Sequence, residues 1–183
     1  MTRTSTSHPL RVDELSVDRI SGILGMTFCP GKKDKYGMTG AWDRDLDIDL
    51  EAIKKWGATR FVCLLESGEF SLLGVPEFPQ AVQESGMKWY HLPIVDTQVP
   101  ENTFETKWVT VGRELRKALV DGEKILLHCR GGLGRTGTVA AKILIEHGYS
   151  QDEAIESVRK ARPGAIENRL QEDYVLSCRA SEK

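Results

Sequence analysis

The sequence predicts an α/β fold with a central, mainly parallel sheet of four to five strands, flanked by helices, and a helical C-terminal third. Two patterns carry this prediction: short apolar or β-branched runs alternate with stretches of helical periodicity as far as residue 147, and only helical patterns follow. The strands are expected at residues 20–28, 59–65, 88–94 and 124–128. The helices are expected at residues 45–56, 76–85, 104–120, 136–147, 150–162 and 168–179.

Local signals define the elements in the first part of the chain. Residues 20–28 form an apolar run that suits an opening strand, and a polar, glycine-rich loop follows at residues 30–37. In the helix at residues 45–56, apolar side chains recur at helical spacing, and Gly57 stands where a left-handed residue commonly ends a helix. Residues 59–65 are β-branched and aromatic, which favours a strand.

Proline, glycine and capping residues bound the later elements. Pro76 suits the first turn of the second helix, and Gly86 suits its end. A strand, a longer amphipathic helix and another strand–helix pair follow. Ser150 and Glu153 form a capping box that opens the next helix, which stops at Pro163-Gly164.

Length, composition and charge limit the class of protein. With 183 residues, we expect a flexible tail at residues 1–12 and a single domain at residues 13–183. The net charge of −2 argues against a nucleic-acid partner. No apolar run approaches the roughly 18 residues of a membrane span, and the N-terminus lacks the apolar stretch of a secretory signal. We therefore expect a cytoplasmic protein, and a monomer.

Four widely spaced cysteines indicate free thiols in a reducing compartment. They are Cys29, Cys63, Cys129 and Cys178, and their spacing fits neither a zinc site nor a disulfide framework. Cys63 lies inside an apolar run and is expected in the core. The alternative is that Cys63 captures an oxidised Cys129 as a disulfide.

The ten residues from His128 to Gly137 are the most informative segment. A strand delivers Cys129 to a glycine-rich turn, and Arg135 follows six residues later, where a helical pattern opens. Such a turn at a helix N-terminus directs several backbone N–H groups at one point, which binds phosphate and stabilises a thiolate. An arginine adds a bidentate fork for phosphate oxygens. The segment therefore predicts phosphoryl transfer with a cysteine nucleophile.

The same loop also matches a dinucleotide-binding fingerprint, Gly132-x-Gly134-x-x-Gly137. That fingerprint needs a second strand about 20 residues further on, ending in an acidic residue. Here a capping box and a helix occupy that region, and the Lys-Ser/Thr pair of a Walker loop is missing as well. Nucleotide binding is therefore not expected, and neither is a cofactor.

The leaving oxygen of a phosphate ester must receive a proton, so the nucleophile needs an acid. The candidate is Asp96, just beyond the strand at residues 88–94. Parallel strands end at one edge of a sheet, so Asp96 and Cys129 are expected on the same side. The alternative is an aspartate that forms a turn with its own backbone before Thr97.

Taken together, His128-Cys129-x5-Arg135-Thr136 with Asp96 upstream resembles the cysteine-dependent protein tyrosine and dual-specificity phosphatases. The similarity extends to the kinase-associated, cyclin-dependent kinase inhibitor type branch over residues 20–178. The further segments that carry it are Pro30-Gly31-Lys32 with Asp34, Gly68-Glu69-Phe70, Leu92-Pro93-Ile94 and Gly164-Ala165-Ile166. The branch name implies a kinase partner, which the sequence leaves open.

The resemblance implies a two-step mechanism without a metal. Cys129 would attack phosphorus to form a cysteinyl-phosphate, while Asp96 protonates the leaving oxygen and later activates water. Arg135 would clamp the phosphate, and Thr136 would hydrogen-bond the sulfur. The expected substrate-binding residues are Arg130, Gly131, Gly132, Leu133, Gly134 and Arg135.

Other assignments have two interpretations. His128 either orients the loop through backbone contacts and favours the thiolate, or is a buried structural histidine. Gln171, or alternatively Glu167, either positions the water of the second step or is a solvated helix residue. Arg130 either meets an acidic group of the substrate or points into solvent.

A compact chain without long insertions suggests a shallow site, which would admit phosphoserine and phosphothreonine as well as phosphotyrosine. We therefore expect a dual-specificity phosphatase with a phosphoprotein substrate. Lys32, Lys33 and Lys35 favour the alternative of a phosphoinositide or inositol-phosphate phosphatase, although such a charge run is usually a solvated face. A catalytically weak phosphoprotein-binding module is a further alternative, against which Cys129 and Arg135 together argue.

Overall fold

The computed structural model describes residues 2–37 and 40–180. The strands are β1 (Asp13–Leu15), β2 (Ile23–Thr27), β3 (Lys33–Asp34), β4 (Trp42–Asp43), β5 (Ala58–Cys63), β6 (Lys88–His91) and β7 (Lys124–His128). The helices are α1 (Leu46–Trp56), α2 (Ser67–Leu72), α3 (Phe78–Glu84), α4 (Asn102–Val120), α5 (Gly134–Glu146), α6 (Gln151–Ala161) and α7 (Arg169–Ser177).

Five strands form the main sheet in the order β1-β2-β7-β5-β6, and β3 and β4 form a separate hairpin. Within the main sheet, β2, β7, β5 and β6 are parallel, and only β1 is antiparallel to its neighbour. His128 at the end of β7 lies opposite Thr27 on one side and Cys63 on the other. The parallel strands therefore end together, and the loops that follow them share one edge of the sheet.

Two apolar layers cover the sheet, because neighbouring residues of a strand point to opposite faces. In β5 and just beyond it, Phe61 and Cys63 pack against α1, α2 and α3, while Val62 and Leu64 pack against the other helices. This second layer is the larger cluster and includes apolar residues of α4, α5, α6 and α7. Among the described residues, no helix has both the length and the apolar character needed to cross a bilayer.

The predicted fold class is confirmed, and every predicted strand and helix has a counterpart in the structure. Gly57 ends α1 in the left-handed conformation, with φ of 99°. Three features were not expected from the sequence: β1, the β3–β4 hairpin and α2. These elements have two to six residues, which is too short for a periodic pattern to emerge.

Residues 2–12, part of the segment predicted as a flexible tail, lie against the domain. The Arg3 backbone donates to Ala41 and accepts from Asp43, at 2.9 and 3.0 Å. Ser5 is buried and exchanges hydrogen bonds with the Asp45 backbone. These contacts hold the segment in place, because backbone groups of the tail pair with the strand next to it. Met1 lies outside the described residues.

Candidate active site

The loop between β7 and α5, residues 129–133, lies at the shared carboxyl edge of the sheet. It passes directly over the end of β2: a Cβ atom on Gly132 would lie 2.2 Å from the carbonyl oxygen of Thr27. Gly132 also has φ of +69°, in the left-handed region that glycine adopts readily. The close approach and the backbone conformation both require glycine at this position.

Groups outside the loop hold its carbonyls. The backbone N–H of Cys29 donates to the carbonyl oxygen of Arg130 at 3.2 Å, and the N–H of Gly137 donates to that of Leu133 at 2.8 Å. Between them, Arg162 donates from NH2 to the carbonyl oxygen of Gly131 at 2.9 Å, and from Nε to that of Gly132. Because the C=O and N–H of a trans peptide point in opposite directions, carbonyls held outward turn the N–H groups inward. The loop is therefore arranged as a cradle for an anion.

Cys129 forms the floor of this cradle. The residue is 3% exposed, and its Sγ accepts a hydrogen bond from Gly132 N–H at 3.2 Å. Helix α5 begins at Gly134, so its N-terminus lies close to the cradle, and the helix dipole also favours a negative charge at Cys129 Sγ. Position, donor and dipole together suit a thiolate.

Arg135 is buried in the first turn of α5, directly after the cradle. The edge formed by NH1 and NH2 is taken by Glu69, at 2.6 and 2.9 Å. Nε is buried without a hydrogen-bond partner among the described residues, and NH2 also pairs with Asp96 Oδ1 at 2.9 Å. Burial by itself would lower the pKa of Arg135, but its hydrogen bonds to the Glu69 carboxylate and the charges of Cys129, Glu69 and Asp96 raise that pKa.

Asp96 lies in the loop after β6, with its carboxyl group 47% exposed. Besides the ion pair with Arg135, Oδ1 accepts from the backbone N–H of Thr97 at 3.1 Å. Both interpretations from the sequence thus describe part of its geometry, since the carboxylate makes the local turn contact and also reaches the arginine of the cradle. Its exposure leaves it accessible to a proton from solvent and to a substrate oxygen.

His128 and Thr136 are buried on either side of the loop. His128 Nδ1 lies 3.3 Å from the carbonyl oxygen of Cys129, and Nε2 has no partner among the described residues. Burial lowers the pKa of His128 to about 3, so its imidazole is neutral near pH 7. Thr136 Oγ1 has no hydrogen-bond partner in the described part of the chain either, so the hydrogen bond to the sulfur is not formed in this structure. Rotation about χ1 would move Oγ1 and change the acceptors within its reach.

Glu167, which precedes α7, and Gln171 in its first turn both lie next to the cradle. A Cβ atom on Gly134 would lie 2.5 Å from Glu167 Oε1 and 2.7 Å from Gln171 Nε2. Gln171 is buried, with Nε2 donating to Gln98 O at 3.3 Å and Oε1 accepting from Glu167 N–H at 3.0 Å. Partial burial and the charge of Asp96 raise the pKa of Glu167. Both candidates for the water-positioning residue therefore border the site, and Gln171 is not a solvated helix residue.

The cations predicted near the loop have separate surroundings. Arg130 neither points freely into solvent nor is fully available to substrate, because NH2 pairs with Asp34 at 3.0 Å. Lys32 is buried, with Nζ 4.8 and 4.9 Å from the rings of Phe28 and Trp42, and burial lowers its pKa. Lys33 and Lys35 are exposed. The three lysines therefore do not form one cationic face.

Cys63 and Cys129 are both free thiols on opposite faces of the sheet. Cys63 packs in the cluster with Phe61 and Leu65, whereas Cys129 belongs to the other cluster. Burial raises the pKa of the Cys63 thiol well above its ordinary value. Cys63 is thus a core residue, as expected, and the alternative of a disulfide with an oxidised Cys129 stays a hypothesis.

Two residues of the site were missed as functional residues in the sequence. Glu69 binds Arg135, and Arg162 binds the loop carbonyls. In the sequence, Glu69 was named only as part of the segment Gly68-Glu69-Phe70, with no role assigned to it. Its spacing from Glu66 is that of a helix capping box, which gives a carboxylate a purely local function. Arg162 carried no signal, since it follows a charged helix. In the described part of the chain, no three His, Cys, Asp or Glu side chains are grouped to hold a metal ion.

The sequence matches a known family of phosphatases, which identifies the anion that the cradle binds as phosphate. Residues 40–175 match the PTP-SAK family, described as a Swiss Army Knife protein, DSP-PTPase phosphatase domain. The chain belongs to this phosphatase family. It is a cysteine-dependent protein phosphatase of the tyrosine and dual-specificity type, as the motif predicted.

Relatives of this phosphatase confirm the predicted branch. It is 32% identical to human cyclin-dependent kinase inhibitor 3 over 172 residues, which cover 91% of this chain and 77% of the relative. Its structure matches kinase associated phosphatase, crystallised with the catalytic-site cysteine replaced by serine, with a TM-score of 0.81, 31% identity, and 91% and 92% of the two chains covered. Tk-PTP in its active form matches with a TM-score of 0.66 and 26% identity, over 89% and 93% of the chains.

Proposed function

We propose that Cys129, Arg135 and Asp96 carry out a two-step hydrolysis of phosphate esters on proteins. The observation that supports this most is their convergence: NH2 of Arg135 contacts Asp96 at 2.9 Å, and the charge of Cys129 acts on the same guanidinium. A phosphate seated on the loop N–H groups would bind the Nε–NH2 edge of Arg135, whose Nε has no hydrogen-bond partner among the described residues. Its arrival displaces Asp96 toward the ester oxygen, where an acid is needed.

In the first step, the Cys129 thiolate attacks phosphorus in line, and the bond from phosphorus to the leaving oxygen breaks. Asp96 gives its proton to that oxygen, which leaves as an alcohol or phenol. In the second step, Asp96 accepts a proton from water as the water attacks the cysteinyl-phosphate, and inorganic phosphate and the thiolate are released. Arg135 and the N–H groups of residues 130–135 stabilise the equatorial oxygens in both steps.

Supporting roles follow from the surroundings of the cradle. Thr136 would donate to the sulfur as it leaves in the second step, because its buried hydroxyl has no hydrogen-bond partner among the residues that the structure describes. His128 orients the loop as a neutral imidazole through the Cys129 carbonyl. Gln171 or Glu167 positions the attacking water, since both side chains lie against Gly134.

The proposed substrate is a phosphoprotein, with phosphotyrosine and phosphoserine or phosphothreonine both accepted. A kinase partner, as the name of the human relative suggests for that protein, is a narrower possibility to be tested with phosphorylated kinases. The pairing of Arg130 with Asp34 and the burial of Lys32 leave fewer free cations than an inositol polyphosphate would require. We further propose that residues 13–183 form a single domain and that the protein acts as a monomer. Its cysteines are free thiols, which fits the reducing conditions of the cytoplasm.

Turnover of para-nitrophenyl phosphate in reducing buffer with chelator tests the chemistry. Cys129→Ser should abolish turnover, and Asp96→Asn should lower kcat roughly 100-fold or more, because general acid catalysis is lost. Cys178→Ser is the matched control: it removes another buried thiol and should retain turnover. Full activity in Cys129→Ser, or a strict need for metal, would overturn the mechanism.

A substrate panel tests the class of ester. We expect hydrolysis of phosphotyrosyl and phosphothreonyl peptides in preference to phosphoinositides and soluble inositol phosphates. The opposite preference would replace the phosphoprotein assignment with the inositol one. Phosphopeptide binding without any turnover by the intact protein would identify a binding module.

A further inference from the structure

Arg162, just after α6, contacts the phosphate loop from outside the pocket. Its NH2 and Nε donate to the carbonyl oxygens of Gly131 and Gly132, and its NH1 pairs with Asp13. The side chains of Arg162 and Asp13 are only 13% and 9% exposed. Neither residue has a role in the chemical steps described above.

The peptide groups that Arg162 holds are those that supply the cradle. The carbonyl of Gly131 shares a peptide plane with the N–H of Gly132, and the two point in opposite directions. With the carbonyl held outward by Arg162, that N–H points inward and donates to Cys129 Sγ at 3.2 Å. By the same geometry, the carbonyl of Gly132 sets the direction of the Leu133 N–H.

These peptides need an external restraint because both carbonyls belong to glycines. A glycine has no side chain to fix its backbone and adopts positive and negative φ with similar ease. Rotation of either peptide plane would exchange an N–H donor for a carbonyl oxygen that faces the thiolate and the phosphate. Such an oxygen would repel both anions.

Asp13 fixes the guanidinium in turn. It lies in β1, paired antiparallel with β2 opposite Met26, and so belongs to the edge strand next to the loop. Its carboxylate takes the NH1 of Arg162, which leaves Nε and NH2 for the two carbonyls. A guanidinium can serve three acceptors in one plane in this way, which an ammonium cannot.

We propose that Arg162 is a positioning residue for the phosphate loop: it keeps the N–H groups of Gly132 and Leu133 facing the thiolate and the bound phosphate, and Asp13 holds it there. The proposal rests on the function proposed above for Cys129. It makes the edge strand β1 part of the active-site support.

The test measures the cradle without turnover. The readouts are the rate of Cys129 alkylation by iodoacetamide at pH 6, followed by peptide mass spectrometry, and the affinity for inorganic phosphate by calorimetry. Arg162→Met should slow alkylation and weaken phosphate binding roughly tenfold each, because a hydrogen bond to a charged group is misaligned. Arg162→Lys should act in the same direction, and circular dichroism confirms folding.

Two further variants separate positioning from charge. Arg60→Met removes an arginine paired with Glu123 at the opposite end of β5, and should leave both readouts unchanged. Asp13→Asn should give a smaller loss in the same direction, and it provides the measurement if the Arg162 variants fail to fold. In the double variant Arg162→Met/Asp13→Asn, we expect no recovery of the alkylation rate or of the phosphate affinity, because the carbonyl oxygens of Gly131 and Gly132 still lack their donor.

Unchanged alkylation and phosphate affinity in folded Arg162→Met would overturn the proposal. Full recovery in the double variant would overturn it too, because Arg162 would then only neutralise Asp13. Failure of the proposed function is distinguishable: Cys129→Ser would keep its turnover, and wild-type Cys129 would react at pH 6 no faster than an ordinary thiol.

Discussion

At the scale of single residues, the two adjacent glycines of the phosphate loop have different surroundings. Gly132 has φ of +69°, and a Cβ atom there would lie 2.2 Å from Thr27 O and 2.7 Å from Phe28 N. At Gly131, such a Cβ would have no atom of the described residues within 4 Å apart from those of its chain neighbours. One glycine is thus required by packing against the β2 end, while its neighbour is not.

This difference predicts opposite results for two similar substitutions. Gly132→Ala should lower kcat/KM roughly 100-fold or more, because the clash is with backbone and the loop must move by an ångström or so. Gly131→Ala keeps the backbone N–H and should stay within about threefold of the wild type. Kinetics with para-nitrophenyl phosphate and urea unfolding of both variants check this; equal losses would contradict it.

At the scale of elements, the start of α7 holds the loop that carries Asp96. Asn168 Nδ2 donates to Thr97 O at 2.9 Å, while its Oδ1 caps the helix by accepting from Gln171 N–H at 2.9 Å. Thr97 has φ of 63°, which is unfavourable for a β-branched residue. The hydrogen bond from Asn168 therefore helps to maintain a backbone conformation that the loop would not adopt alone.

The two functions of Asn168 can be separated by substitution. Asn168→Ser keeps a capping oxygen but loses the amide donor, so kcat should fall roughly tenfold with little change in stability. Asn168→Ala should show the same fall in kcat and also lose about 1 kcal/mol of unfolding free energy. Ser150→Ala, which removes the cap of α6, is the control and should lose stability alone. Wild-type kcat in both Asn168 variants would refute the positioning of Asp96 by α7.

At the scale of the whole molecule, a buried neutral histidine couples stability to pH. His128 is fully buried against Phe61 and Phe78, and burial lowers its pKa from 6.5 to about 3. The unfolded chain therefore binds more protons than the folded one between these two values. Its contribution to stability is present above pH 6.5 and is lost as pH falls toward 3.

A comparison of pH-dependent unfolding tests this coupling. Between pH 7.5 and pH 4.5 the wild type should lose about 3 kcal/mol more unfolding free energy than His128→Gln, which has no imidazole to protonate. Urea unfolding at both pH values gives the difference, in which the other titrating groups cancel. His8→Gln, at an exposed histidine, should follow the wild type. Parallel loss in wild type and His128→Gln would contradict the assignment of the buried imidazole.

Much of the site could be predicted because its chemistry lies in one contiguous segment. Cys129, Arg135 and the glycines between them are spaced by local backbone geometry alone, and the strand and helix around them have clear patterns. Asp96 was placed on the correct side because parallel strands end at a common edge. Glu69 was not recognised, since a carboxylate at a helix start looks the same whether it caps the helix or binds Arg135.

The sequence by itself determined the α/β class, the phosphate loop, the nucleophile and the class of reaction, because periodicity and a short motif are properties of neighbouring residues. Only the tertiary structure decided which groups hold that loop and arginine. Asp13, Glu69 and Arg162 are far apart in sequence and meet through strand order and register, which no local pattern specifies. The same holds for Thr136 and His128, because packing around the loop leaves Thr136 Oγ1 and His128 Nε2 without a hydrogen-bond partner among the described residues.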